Sequence, residues 1–294
     1  MNTTTLPRWA ADIVSNPPQS PGGFHNWVFR AARALWKCGR DENEIRAILE
    51  NAASTCGRFV PQREIDEAIR NSKLSAFQPL TVQYRPWPAL DKAKREAVIA
   101  ETQFELVDLW EMSPIKFRDN EPHTEELIER LFPGNPLLCC GKSQTDFDTK
   151  PRSKWRGELS KQQFVVPSPM IAWIGHTQSG KESAHAKENT GPRRFLVVEQ
   201  DVGGVDEQAA ILWHLAWRAP LALVVHSGGK SIHGWFYCAG QDEEKVLRPF
   251  KQYAVSLGTC HSTWTPSQFV RMPDARRGDG KRQAVYFFRP EVVK

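Results

Sequence analysis

The chain of 294 residues is poor in the features that mark several functional classes. Its longest apolar runs are about strand length, so no transmembrane helix and no membrane partner are expected. The start, Met1-Asn-Thr-Thr-Thr-Leu-Pro7, has neither a basic cluster nor an apolar stretch, and no signal peptide is expected there. Cys38, Cys56, Cys139, Cys140, Cys238 and Cys260 include no Cys-x-x-Cys spacing, which argues against a zinc knuckle and reads as reduced thiols in a cytoplasmic protein. Tyr84, Tyr237, Tyr253 and Tyr286 are the only tyrosines and no His-x-His pair occurs, which argues against a tyrosine-dependent DNA-nicking site. A true phosphate-binding loop of the NTPase type is also missing. Gly175-His-Thr-Gln-Ser-Gly180-Lys181 follows an apolar run, but Glu182 stands where a Ser or Thr would bind Mg²⁺, and the polar residues through Arg194 predict no packed helix behind it.

What is present is the composition of a globular protein, 40% hydrophobic and 25% charged, with a net charge of +5 that permits a polyanionic partner without requiring one. Residues 1–23 hold Asn16-Pro-Pro-Gln-Ser-Pro-Gly-Gly23 and read as a flexible arm. Residues 24–75 read as a helical module. Helices are expected over 25–38, over 41–54 with Asp41 and Glu44 as a capping box, and from Pro61 to about 72. Ile45, Ile48, Leu49, Ile65, Ala68 and Ile69 recur at helical spacing and supply its core. Arg30, Arg33, Lys37 and Arg40 fall at steps of three and four, which places them along one face as a candidate nucleic-acid contact or as a solvated charged face.

Residues 76–100 carry three prolines and read as a linker, although a helical pattern already begins at Ala89, and residues 101–294 read as the main domain. From Gln163 onward the texture is strands, turns and one helix: strands at Phe195–Val198, Leu221–Val225, Trp235–Cys238 and Ala284–Phe288, with a helix over 205–218. That alternation predicts an α/β or α+β core.

Three constellations can carry chemistry. Glu199 and Asp201 end an apolar strand two residues apart and so point to one face, where two carboxylates repel each other unless a cation such as Mg²⁺ or Mn²⁺ lies between them. Ser227-Gly-Gly-Lys230-Ser231-Ile-His233 lies between two apolar strands. Its glycines allow close backbone approach, and its hydroxyls, ammonium and imidazole suit a triphosphate. Arg271-Met-Pro-Asp274 adds a cation and a further acid. Asp146 and Asp148 share the two-residue spacing but lie among polar residues.

In this order the motifs resemble the archaeo-eukaryotic primase superfamily, which includes plasmid primase-polymerases and the polymerase domains of bacterial end-joining ligases. Val198-Glu199-Gln200-Asp201 resembles the acidic strand, Ser231-x-His233 the Ser-x-His turn, and Arg271-Met-Pro273 the Arg-Leu-Pro segment, over roughly residues 160–294. Residues 24–75 resemble the helical module attached to mobile-element primases. The resemblance implies an α+β primase-polymerase core with an RRM-like antiparallel or mixed sheet and flanking helices, preceded by a small all-α module. It implies a DNA primase or polymerase of a mobile element that uses Mg²⁺ or Mn²⁺ in two-metal phosphoryl transfer, with nucleoside triphosphates, single-stranded or primer-template DNA and a replicative helicase as partners. Glu199 and Asp201 would hold metal, and Ser227, Lys230, Ser231, His233 and Arg271 would hold nucleotide. The family's third acid falls in Leu257-Gly-Thr-Cys260-His261-Ser-Thr-Trp264, which contains none. His261 or Asp274 would have to supply that ligand. Otherwise the chain keeps the fold as a weak or inactive binder of nucleotide and nucleic acid.

Overall fold

A computed structural model describes residues 6–18, 24–56, 59–72, 86–117 and 121–293. They belong to two compact units, residues 1–76 and 77–294.

In the first unit, α1 (Arg8–Ser15), α2 (Phe24–Lys37), α3 (Glu42–Ala53) and α4 (Gln62–Ser72) bury one core that includes Val28, Leu35, Ile45, Leu49, Ile65 and Ile69. The capping box predicted at α3 is formed: Asp41 Oδ1 accepts from the amides of Asn43 and Glu44, and the Glu44 carboxylate accepts from the Asp41 amide. The expectation of a flexible arm over 1–23 fails for residues 6–18. There Trp9, Ala10 and Val14 are buried on α1, and the Trp27 indole donates to Ile13 O at 2.7 Å. An apolar face at helical spacing outweighs the proline-rich composition beside it, while residues 1–5 and 19–23 lie outside the described residues.

The second unit begins with α5 (Lys92–Thr102), α6 (Leu106–Glu111) and α7 (Thr124–Leu131), followed by the strands β1 (Leu137–Gly141), β2 (Phe147–Pro151), β3 (Phe164–Val165), β4 (Gly175–His176) and β5 (Glu182–Ser183). Then come β6 (Phe195–Gln200), α8 (Val205–Ala216), β7 (Leu221–His226), β8 (Ile232–Tyr237), α9 (Arg248–Ser256), β9 (Val270–Arg271) and β10 (Val285–Phe288). The architecture is α+β. One antiparallel sheet has the order β10-β7-β8-β6, a second has β2-β1-β3-β9, and β4 and β5 pair separately. The near match to a phosphate loop is therefore the turn of the β4–β5 hairpin, with no helix opening behind it.

The predicted linker does not extend to residue 100. Residues 92–102 are helix α5, capped by Asp91, and its Arg95 is buried against backbone of the loops after β6 and α9. A guanidinium with several inward acceptors ties this segment to the domain despite its charged sequence.

Cross-strand register fixes which face each side chain takes. Val197 lies opposite Trp235 and Glu199 opposite His233 on β6 and β8, and Leu223 and Val225 continue those rows on β7. This face packs on Leu138, Cys140, Val165, Val270 and Met272 of the second sheet and its flanks. Full burial of side chains of this size contributes about 1.5–3 kcal/mol each. The opposite face is covered by α8 and α9. Phe236 meets Phe250 with ring centroids 5.1 Å apart, and a Cβ at Gly234 would come within 2.9 Å of Leu212, so glycine there lets α8 lie close on β8. Glu199 and His233 thus end an apolar row between two sheets.

Candidate metal and nucleotide site

β6 delivers Glu199, and Asp201 follows directly after its end. His233 is 3% exposed, and its Nε2 lies 3.3 Å from Glu199 Oε1 and 3.4 Å from Ser231 Oγ. A carboxylate only accepts, so the nitrogen facing it carries the proton. This hydrogen bond holds Glu199 below the usual carboxylate range, against the opposing effect of burial. Asp201 moves the other way. Burial and then the Glu199 charge push it up, while Lys230, His233 and a Ser231 hydrogen bond act against the rise. Neighbouring acids whose proton affinities are driven apart by burial and hydrogen bonding make a candidate functional pair.

The turn between β7 and β8 is built by its own serines. Ser227 N donates to Ser231 O at 2.8 Å, and Ser227 Oγ accepts from the amides of Gly229 and Ser231 and from the Ser231 hydroxyl. Gly228 has φ +72°, a conformation that favours glycine. Ser227 is therefore buried inside the turn rather than offered to a ligand, while Lys230 is exposed and feels Asp201. Arg271 is half-buried over the Phe164 ring at 4.8 Å, and the charge of Glu199 acts on it. Its neighbour Arg277 donates to Ser227 O at 3.4 Å, close beneath the turn.

Two positioning residues carry no signal in the sequence. Gln208 on α8 is fully buried and donates to Gly203 O and Lys230 O while accepting from the Ile232 amide, so one side chain joins the loop after Asp201 to the turn between β7 and β8. Arg95 donates to Leu257 O at 2.8 Å and to Val202 O at 2.7 Å, and pairs with Glu207 at 3.1 Å. It clamps the segment leading to Cys260 against the one leaving Asp201.

Neither sequence-based candidate for a third ligand, Asp274 or His261, belongs to the group of donors around the two acids among the described residues. Asp274 is buried at φ +61°, accepts from the His123 amide at 2.7 Å, and is held by the Arg282 guanidinium at 2.6 Å. His261 is exposed and stacks on Trp87, with centroids 6.1 Å apart. Among the described residues, the group of donors lying within 4.8 Å of one another is Glu199, Asp201 and Cys260. Cys260 is brought there because its amide donates to Glu199 O at 2.9 Å and Thr259 bridges to Gln200. The sequence signal was its place in the stretch where the resemblance expects an acid.

In the first unit, Arg33 is 5% exposed and lies over the Phe29 ring at 5.0 Å, so its guanidinium is not presented to a phosphate backbone. Arg30, Lys37 and Arg40 are half-buried, and Arg40 pairs with Glu44 at 3.3 Å. The predicted stripe is thus broken at its second member.

Among the described residues no helix is long and apolar enough to cross a membrane. Comparisons with protein-family models, with curated proteins and with solved structures find no match.

Proposed function

We propose that residues 77–294 form a primase-polymerase catalytic domain that adds nucleotides to DNA by metal-assisted phosphoryl transfer, within the replication machinery of a mobile element. The observation that carries this reading is the meeting of Glu199 and Asp201 with Ser231, His233 and Lys230 at the end of the apolar row between two sheets. Paired acids of opposed proton affinity beside a turn rich in donors suit Mg²⁺ or Mn²⁺ bound together with a triphosphate.

Glu199 and Asp201 would hold the cations, which supply Lewis-acid activation of the attacking 3′-hydroxyl and charge neutralisation at the leaving pyrophosphate. His233 and Ser231, buried beside the acids, would hold Glu199 and the turn in place for the α- and β-phosphates. Lys230 and Arg271 would hold charge at the outer phosphates, as cations serve phosphoryl transfer elsewhere. Ser227, Gln208 and Arg95 keep these groups in register rather than touching nucleotide. The helical unit would engage template DNA or a helicase.

Among the described residues the acidic group holds two carboxylates and a thiol, which favours a second reading, in which the fold binds nucleotide and DNA with little turnover. Incorporation of labelled nucleotides on a primed and an unprimed template separates the two. Metal-dependent incorporation that Asp201→Ala abolishes supports the enzyme. Full incorporation by that variant overturns the site assignment, and nucleotide binding without incorporation by the parent chain supports the binder.

A further inference from the structure

We propose that this chain's cation site is a mixed oxygen and sulfur site in which Cys260 Sγ is the third ligand beside Glu199 and Asp201, and that it takes transition-metal divalent cations (Mn²⁺, Co²⁺, Zn²⁺) in preference to Mg²⁺. The proposal rests on the same acids as the catalytic reading but concerns which ion they hold.

The donor set is the first support. The ligating atoms of the three residues lie within 4.8 Å of one another, and all three side chains are partly exposed, so an ion and its remaining ligands can enter. Neither alternative third ligand competes: Asp274 is spent on Arg282 and the His123 amide, and His261 lies against Trp87.

The second support is independent of the cysteine. His233 is 3% exposed and aims Nε2 at Glu199, and its Nδ1 has no hydrogen-bond partner among the described residues. The buried Nε2–H therefore fixes the orientation of the Glu199 carboxylate, the outer-shell hydrogen bond that ligating carboxylates carry.

The third is the backing of the loop. Lys251 Nζ is fully buried and donates to Val197 O at 3.2 Å and to Thr263 Oγ1 at 2.6 Å, and Thr263 Oγ1 in turn donates to Cys260 O at 3.4 Å. One lysine side chain therefore ties the strand bearing Glu199 to the segment bearing Cys260, and the sulfur is set beside the acids by the core beneath it.

Chemistry then decides the ion. Mg²⁺ demands hard oxygen ligands in near-octahedral array and gains little from sulfur. Mn²⁺, Co²⁺ and Zn²⁺ accept sulfur beside carboxylate more readily than Mg²⁺ does, and Co²⁺ is held more tightly than Mn²⁺.

The test is a Co²⁺ titration of the full chain, read by the thiolate-to-cobalt charge-transfer absorption, with Mg²⁺ and Mn²⁺ as competitors. The parent chain is expected to show the band and to lose it to Mn²⁺ far more readily than to Mg²⁺. Cys260→Ser is expected to lose the band and to bind Co²⁺ at least on the order of tenfold more weakly. Cys260→Asp is expected to lose the band while gaining Mg²⁺ affinity. A band that persists in Cys260→Ser, or equal displacement by Mg²⁺ and Mn²⁺, overturns the proposal. Should the variants fail to fold, alkylation of Cys260 in the parent chain gives the answer: protection by Co²⁺ or Mn²⁺ but not by Mg²⁺ supports the site, and no protection overturns it. The band without nucleotide incorporation leaves this site standing and removes the polymerase reading. Mg²⁺-supported incorporation unchanged in Cys260→Ser does the reverse.

Discussion

Glu199 and His233 are cross-strand partners on β6 and β8, and the imidazole Nε2 lies 3.3 Å from the carboxylate Oε1. Asp201, two residues on, has a Ser231 hydrogen bond in place of an imidazole and sits beside the charge that Glu199 keeps. One acid is thereby stabilised in its ionised form and the other is penalised.

This asymmetry gives opposite outcomes for two isosteric substitutions in metal-free buffer. The folded-state pKa of Asp201 is raised, so its ionised form costs stability above that pKa, and the cost is relieved as pH falls through it. Asp201→Asn should therefore stabilise the apo protein at neutral pH, by at most about 1 kcal/mol because the group is partly solvated, or a rise in Tm of about 2–4 °C. Glu199 is lowered, so its charge contributes stability above the ordinary carboxylate pKa that is lost as pH falls through the folded value. Glu199→Gln should lower Tm. Thermal melts with a chelator present check both signs, and the same direction of shift in both variants would contradict the arrangement.

Arg95 allows a sharper test of the fold around the site. Its two terminal nitrogens reach carbonyls of Leu257 and Val202 on separate loops. Arg95→Met leaves those acceptors facing an apolar chain, at a cost of about 2–4 kcal/mol in urea unfolding. Arg95→Lys should recover only part of this, since one ammonium cannot span both acceptors with the geometry of the fork. Recovery of full stability by lysine would show that charge alone matters there.

How much of this was readable in the sequence depended on period and spacing. Phe195 to Asp201 announced itself because an apolar run ends in acids two apart, and α3 because Asp41 and Glu44 stand at capping distance. Arg95 and Gln208 gave no signal, since their importance lies in carbonyls of loops far along the chain. Cys260 reads in the sequence as one thiol among six, because nothing local tells that Thr259 will bridge to Gln200 and turn it toward the acids. Arg33 shows the converse error. Its helical spacing with Arg30 and Lys37 suggested one exposed face, but the packing around Phe29 draws it inward.

That burial divides the basic residues of α2 by outcome. Neutralising Arg30 and Lys37 together should reduce the salt slope of DNA binding by up to about two counter-ions if the unit touches phosphates. Arg33→Met should leave the slope unchanged and act on folding instead, shifting the urea midpoint. A slope change in Arg33→Met with an unchanged midpoint would mean that this guanidinium reaches the DNA.

Lys251 supplies a dependence on pH. Full burial lowers its pKa from 10.5 to about 7, although Cys260 and Glu199 partly oppose the shift. Between those values the unfolded chain holds a proton that the folded chain has released, so stability should rise with pH from about 7 toward 10.5. Buried thiols complicate the alkaline end, because Cys38, Cys139 and Cys238 are pushed up to about 12 and lower stability once unfolded thiols ionise. The clean reading is a difference. Lys251→Met keeps every cysteine but removes the ammonium, so the gap in unfolding free energy between parent and variant should move in the parent's favour from pH 7 to 8.5. Urea unfolding at closely spaced pH values measures that gap, and a constant gap would mean that Lys251 keeps its proton in the fold and remains a buried cation beneath Glu199.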